Sequence, residues 1–242
     1  MLLNCDLGES YGQWQLGNDA EVMPHIDMAN IACGFHAGDP TTLANTIALA
    51  KQHQVSIGAH PSYPDLAGFG RRSMKLTTNE LTQLMHYQIA ALEGMAKCQS
   101  MSLSYVKPHG ALYNDMMADE QLLRTLLQAV ASYPSDLKFM LMSTAAHQKH
   151  RELANSMGIE LLFEVFADRR YTEAGLLMPR SEVGALLNTA DMLEQVTLIA
   201  TKQKVITADG SLLQIPMDSL CVHGDNPTAV AQIKQIRKLV TP

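Results

Sequence analysis

Between Asn30 and Pro40 the chain reads Asn-Ile-Ala-Cys-Gly-Phe-His-Ala-Gly-Asp-Pro. Small and apolar residues break at Gly34, His36 and Asp39 follow, and Pro40 is of a type best tolerated in the first turn of a helix. The stretch therefore predicts the end of a buried strand, a tight loop carrying two ionisable groups, and a helix start. Asp39 suits the N-cap, where a carboxylate accepts hydrogen bonds from unpaired first-turn amides. Parallel α/β proteins place their chemistry in loops at the carboxyl ends of strands, and this pattern recurs along the chain.

Leu2 to Asp6 is a short apolar run that delivers Asp6 and Glu9 into a Gly-containing turn. Val55 to Ala59 ends in His60-Pro61 and leads into a loop, Ser62 to Arg72, rich in Pro, Gly and aromatics, which resembles a substrate-covering segment. Leu103 to Val106 delivers Lys107-Pro108-His109-Gly110, with Tyr113 shortly after. Glu160 to Phe166 is apolar apart from its two glutamates and ends in Asp168-Arg169. Ser219 to Val222 leads into His223-Gly224-Asp225-Asn226-Pro227, an echo of the first pattern.

Helices fill the intervals. Leu43, Ile47 and Leu49 to Ala50 follow helical spacing. Thr77-Thr78-Asn79-Glu80 forms a capping box for a helix reaching about Lys97, with Leu81, Leu84, Met85, Ile89 and Leu92 on one face and His86 and Tyr87 packed or facing solvent. Further helices are expected from Asp119 to Ala131, before Gly158, around Ser181 to Ala200, and at the end to about Leu239. Asp209-Gly210 between β-rich flanks predicts a small hairpin over Lys204 to Ile215.

Strands beginning near Leu2, Ile31, Val55, Leu103, Lys138, Leu161 and Leu220 thus alternate with helices, which calls for parallel strands joined by helical crossovers. Ionisable residues end the first, middle and last strands alike. An open sheet gathers such residues near one switch point, whereas a barrel brings every strand end to one mouth. The expectation is an α/β fold, an irregular seven-stranded parallel (β/α) barrel, in one domain over residues 1–242.

A net charge of −6 gives no basic footprint for nucleic acid. Four cysteines without short paired spacing argue against a zinc ribbon or redox pair and fit a reducing cytoplasm. No leader-like or membrane-spanning run is seen, so a cytoplasmic protein without a membrane partner is expected.

Several strings resemble the LamB/YcsF family almost end to end. They are Asn4-Cys5-Asp6-Leu7-Gly8-Glu9-Ser10, Ala32 to Asp39, Gly58-Ala59-His60-Pro61, Gly68-Phe69-Gly70-Arg71-Arg72, Lys107 to Asn114, Phe166-Ala167-Asp168-Arg169 and Cys221-Val222-His223-Gly224-Asp225. The resemblance implies a barrel related to the glycoside hydrolase and deacetylase type. It also implies opening of the lactam of 5-oxoproline to L-glutamate with consumption of ATP, and two partners, 5-oxoprolinase subunits B and C. No phosphate-cradling Gly-rich loop with its Lys is present, so a nucleotide site is not located by motif.

On this reading Asp6 is the general base or proton shuttle, with His36 and His60 orienting it or the attacking water. Lys107 and His109 stabilise developing charge. An arginine among Arg71, Arg72 and Arg169 holds the substrate carboxylate. Asn4, Glu9, Asp39, Tyr113, Asp168, His223 and Asp225 complete the candidate substrate contacts. Two alternatives stay open. Asp6, His36 and His60 could bind a divalent metal, as in a metal-dependent deacetylase or amidohydrolase, although no pair has the one-turn spacing of a His-x-x-x-His ligand motif. The chain could also be a non-catalytic component that presents substrate to its partners.

Overall fold

The computed structural model describes residues 1–179, 182–222 and 230–240. Six parallel strands come first: β1 (Leu2–Leu7), β2 (Met28–Ala32), β3 (Ser56–His60), β4 (Leu103–Val106), β5 (Lys138–Met142) and β6 (Leu161–Phe166). An antiparallel hairpin, β7 (Lys204–Ile206) with β8 (Leu212–Gln214), forms outside the sheet. The seventh parallel strand, β9 (Ser219–Val222), then sits between β6 and β1 and closes the barrel.

Eight α-helices are described: α1 (Asp19–Val22), α2 (Pro40–His53), α3 (Thr78–Cys98), α4 (Gly110–Ala118), α5 (Glu120–Ala131), α6 (His147–Asn155), α7 (Thr189–Lys202) and α8 (Ile233–Val240). Pro40 opens α2, and Asp39 caps it by accepting from the Thr41 and Thr42 amides. The Thr77/Glu80 box opens α3, whose predicted apolar face is buried. His86 packs, its Nε2–H donating to the Ala129 carbonyl at 2.8 Å, while Tyr87 is exposed and stacks on Phe35.

Two stretches differ from the sequence expectation. The segment after His109 is a helix in its own right, separated from α5 by Asp119, which caps the latter through the Gln121 and Leu122 amides. Of the helix expected around Ser181 to Ala200, Ser181 lies outside the described residues, and the helix begins at Thr189, where the Asn188 side chain accepts from the Asp191 amide and fixes the start.

Side chains alternate across each strand with a period of two. Leu3, Cys5 and Leu7 of β1, Ala29 and Ile31 of β2 and Ile57 and Ala59 of β3 join the large apolar core. The opposite set turns inward: Met28, Tyr105 and Met140 pack together as a separate cluster. Above them lies a polar layer in which the Asn4 amide donates to Ser219 Oγ at 2.7 Å, the Asn30 amide donates to Asn4 Oδ1 at 2.8 Å, and the Tyr105 hydroxyl donates to Asn30 Oδ1 at 2.7 Å. The same parity carries Asp6, His60, Lys107 and Phe166 to the carboxyl-terminal mouth. Among the described residues no helix is long and apolar enough to cross a membrane.

Candidate active site

The mouth of the barrel holds a cavity lined by Asp6, Glu9, His60, Phe69, Arg71, Lys107, His109, Tyr113, Asn114, Phe166 and Arg169, among others. At its floor Lys107 is 3 % exposed. Its ammonium donates to Asp6 Oδ1 at 3.0 Å and lies 3.1 Å from Glu164 Oε2. Burial opposes the lysine charge, but its surrounding acidic groups, Asp6 foremost, outweigh it and hold the ammonium well above the ordinary lysine range. The Asn30 amide donates to the same Asp6 oxygen at 2.7 Å. The Tyr113 hydroxyl donates to Glu164 Oε1 at 2.6 Å, and burial followed by that carboxylate pushes the phenol well above its usual value, so it stays a donor.

Three histidines form the wall beside this floor. His60 Nδ1 lies 2.7 Å from the Lys107 carbonyl, which can only accept, so Nδ1 carries a hydrogen. His109 Nε2 lies 3.0 Å from the Phe69 carbonyl and is protonated for the same reason. The remaining nitrogens, His60 Nε2 and His109 Nδ1, face each other at 2.9 Å. His36 stacks on His109 with ring centroids 3.7 Å apart, and its Nε2 lies 3.2 Å from Glu9 Oε1. Burial pushes both His36 and His109 well below the usual histidine value, the neighbouring histidine rings adding to it.

The loop from Pro61 to Arg72 is fastened over these rings by backbone contact. Gln88 of α3 accepts from the Ser62 amide and donates to the Ser62 carbonyl. Gly70 has φ of +65°, and a Cβ there would meet His109 Cδ2 at 2.8 Å and His36 Cβ at 2.9 Å. Gly110, with φ of +56°, brings the start of α4 so close that a Cβ would stand 2.5 Å from the Gly70 carbonyl oxygen. Only glycine permits this contact.

Asp6, Glu9, Arg71, Lys107, His60, His109, Tyr113 and Arg169 therefore meet at one cavity, with His36 directly behind it. Arg71 lies over the Phe69 ring, and Arg169 Nη2 donates to the Met178 carbonyl at 2.6 Å. Other candidates stand elsewhere. Asp39 does not face the cavity: its oxygens cap α2 and accept from the Gly12 amide and the Thr42 hydroxyl. Arg72 pairs with Asp65 while its side chain is 66 % exposed, because Asp65 anchors the turn that ends the covering loop. Asn4 is fully buried beneath Asp6 as part of the barrel filling. Asp168 is fully buried and does not line the cavity. His223 and Asp225 lie outside the described residues.

Sequence reasoning passed over Glu164, Asn30 and Cys221. Glu164 is wholly buried, yet touches Lys107 and Tyr113, and Cys221 Sγ lies 3.3 Å from the Lys107 ammonium. The signal for Glu164 was its place inside an otherwise apolar strand, where a charge persists only with partners. Among the described residues, the donor atoms that cluster closely enough for a cation are those of Glu9, His36, His60 and His109, all within 4.8 Å of one another. This set differs from the Asp6, His36 and His60 trio that the sequence left open as an alternative.

A closed parallel barrel with a charged, histidine-walled cavity at the carboxyl ends of its strands places this chain among the (β/α) barrels, with its candidate site on the face where such barrels carry their chemistry. The LamB/YcsF family model matches residues 1–242, and the chain belongs to that family. It is 54% identical over 239 residues to a protein of Pseudomonas putida named as a second A subunit of 5-oxoprolinase, covering 98% of this chain and 93% of that one. It is 51% identical to a Pseudomonas fluorescens protein named as the A subunit of 5-oxoprolinase, covering 98% and 96% respectively. The crystal structure of a lactam utilization protein from Thermus thermophilus superposes with a TM-score of 0.90 at 35% identity, covering 99% of this chain and 95% of that one.

Proposed function

We propose that this chain is the A component of an ATP-dependent 5-oxoprolinase, which opens the lactam of 5-oxoproline to L-glutamate while ATP is hydrolysed to ADP and phosphate, in a complex with 5-oxoprolinase subunits B and C. The observation that carries the reading is the buried Lys107–Asp6–Glu164 cluster at the floor of a cavity that also presents Arg71 and Arg169. The names of the relatives point the same way.

A lactam is a resonance-stabilised amide that water attacks poorly, which accounts for a need for ATP. Attack of the lactam oxygen on the γ-phosphorus releases ADP and leaves an activated carbon. One water adds there and the C–N bond breaks, the nitrogen taking a proton; a second water releases phosphate from the resulting acyl phosphate. Asp6 is suited to accept the proton of an adding water, since its carboxylate is fixed by Lys107 and Asn30. Lys107 stabilises the negative charge that gathers at the oxygen. The planar guanidinium of Arg71 or Arg169 matches the substrate carboxylate.

Glutamate release from 5-oxoproline and ATP, assayed with this chain alone and with B and C added, tests the proposal. Activity is expected only in the mixture. A mixture that hydrolyses no 5-oxoproline overturns it.

A further inference from the structure

The facing nitrogens of His60 and His109 pose an electrostatic problem. Their outer nitrogens are committed as donors to the Lys107 and Phe69 carbonyls, so in the neutral rings both inner nitrogens carry lone pairs. Two lone pairs 2.9 Å apart repel unless a cation lies between them. A carboxylate stands beside each nitrogen: Glu9 Oε1 is 3.5 Å from His109 Nδ1, and Asp6 Oδ2 is 3.4 Å from His60 Nε2.

We infer that Glu9, His60 and His109 form a binding site for one divalent transition-metal ion of the zinc class. Imidazole nitrogens with a carboxylate oxygen are a donor set for such ions. In a tetrahedral site with bonds of about 2.0–2.1 Å the donors stand roughly 3.3 Å apart, and the observed separations of 2.9 and 3.5 Å bracket that edge. Backbone carbonyls behind both histidines fix the tautomers that leave the inner nitrogens available, an arrangement typical of metal-bound imidazoles.

His36 completes the arrangement without being a ligand. Its ring lies within 6° of parallel to His109 at a centroid distance of 3.7 Å. An ion in the plane of one ring therefore lies well out of the plane of the other, and the imidazole lone pair is in-plane. His36 instead donates through Nε2 to Glu9 Oε1, its Nδ1 buried with no hydrogen-bond partner among the described residues. This is the contact expected of a residue that orients a ligating carboxylate.

Metal uptake stands independently of the reaction. The purpose of the ion rests on the 5-oxoprolinase reading, in which it would polarise the lactam carbonyl. The test uses the full chain stripped with chelator, titrated with Zn²⁺ by calorimetry and with Co²⁺ by visible absorption. One ion per chain is expected, with the intense absorption of low-coordinate cobalt. His109→Asn should abolish binding. Glu9→Gln and His36→Ala should weaken it by about 10–100-fold, and His86→Asn should leave it unchanged. No uptake by the native chain overturns the inference, as does unchanged affinity in both His109→Asn and Glu9→Gln. Where His109→Asn fails to fold, as read by circular dichroism, the native titration and the near-isosteric Glu9→Gln decide. Metal uptake without glutamate release from the full mixture would refute the reaction and leave the site standing; release from a chain that takes up no metal would do the reverse.

Discussion

The Lys107 ammonium lies 3.0 Å from Asp6 Oδ1 across 101 positions of sequence. Both groups are largely enclosed, and Glu164 stands on the other side of the lysine at 3.1 Å. Breaking a buried pair by removing one partner leaves an uncompensated charge, at a cost of about 3–5 kcal/mol. Lys107→Met should therefore lower the stability in urea by that order. Lys107→Met combined with Glu164→Gln should recover part of the loss, because one of the two stranded carboxylates is then neutral. Equal stability of the single variant and the native chain would show that the floor is not held by this pair.

Asp6→Asn preserves shape and the contact with Lys107 while removing the proton acceptor. Glutamate release by the reconstituted complex should fall by about 10²–10⁴-fold, the usual worth of a general base, with the circular dichroism spectrum unchanged. Native turnover in that variant would remove Asp6 from the mechanism.

Arg72 and Arg169 should behave differently, although the sequence offers both for the substrate carboxylate. Arg72 is committed to Asp65 at the protein surface, whereas Arg169 lines the cavity and is 7 % exposed. Loss of a hydrogen bond to a charged group costs about 1.5–3 kcal/mol. Arg169→Lys should thus raise KM for 5-oxoproline by at least about tenfold, while Arg72→Ala leaves KM within about twofold. Steady-state kinetics of the complex read both.

Asp39 is a stability residue. Asp39→Ala removes the cap of α2 and should cost about 1–2 kcal/mol while leaving KM unchanged. Hydrogen bonds from the Gly12 amide, and then from Thr42, push its carboxyl down to about 2. A depressed carboxyl stabilises the fold fully above its unfolded value near ~3.9 and ceases to do so as the pH falls through its folded value. The stability difference between the native chain and Asp39→Ala should accordingly be constant near neutrality and shrink between about pH 4 and pH 2. A difference that grows on acidification would contradict this account.

Much of the barrel was legible because its signals are local. Pro40 after Asp39, the Thr77/Glu80 box and the Asp209-Gly210 turn each depend on neighbours within four residues, and each forms where expected. The recurring passage from apolar strand to ionisable loop placed Asp6, His60, Lys107 and His109 at strand ends, and the closed sheet gathers them at one mouth. The start of α7 was missed although its signal is equally local, Asn188 standing three residues before Asp191, whose amide it accepts.

The sequence by itself determined which segments become strands, where most helices start, and that ionisable groups terminate the strands, since these follow from periodicity, capping and turn chemistry. Tertiary structure alone decided which of those groups touch. Pairing of β1 with β2 sets Asn30 opposite Asp6, and closure of the sheet through β9, between β6 and β1, brings Glu164 under Lys107, while Asp39 and Arg72 are drawn to local partners instead. A direct ion pair needs its atoms within about 4 Å, and distances on that scale between residues a hundred positions apart are set by the closed barrel.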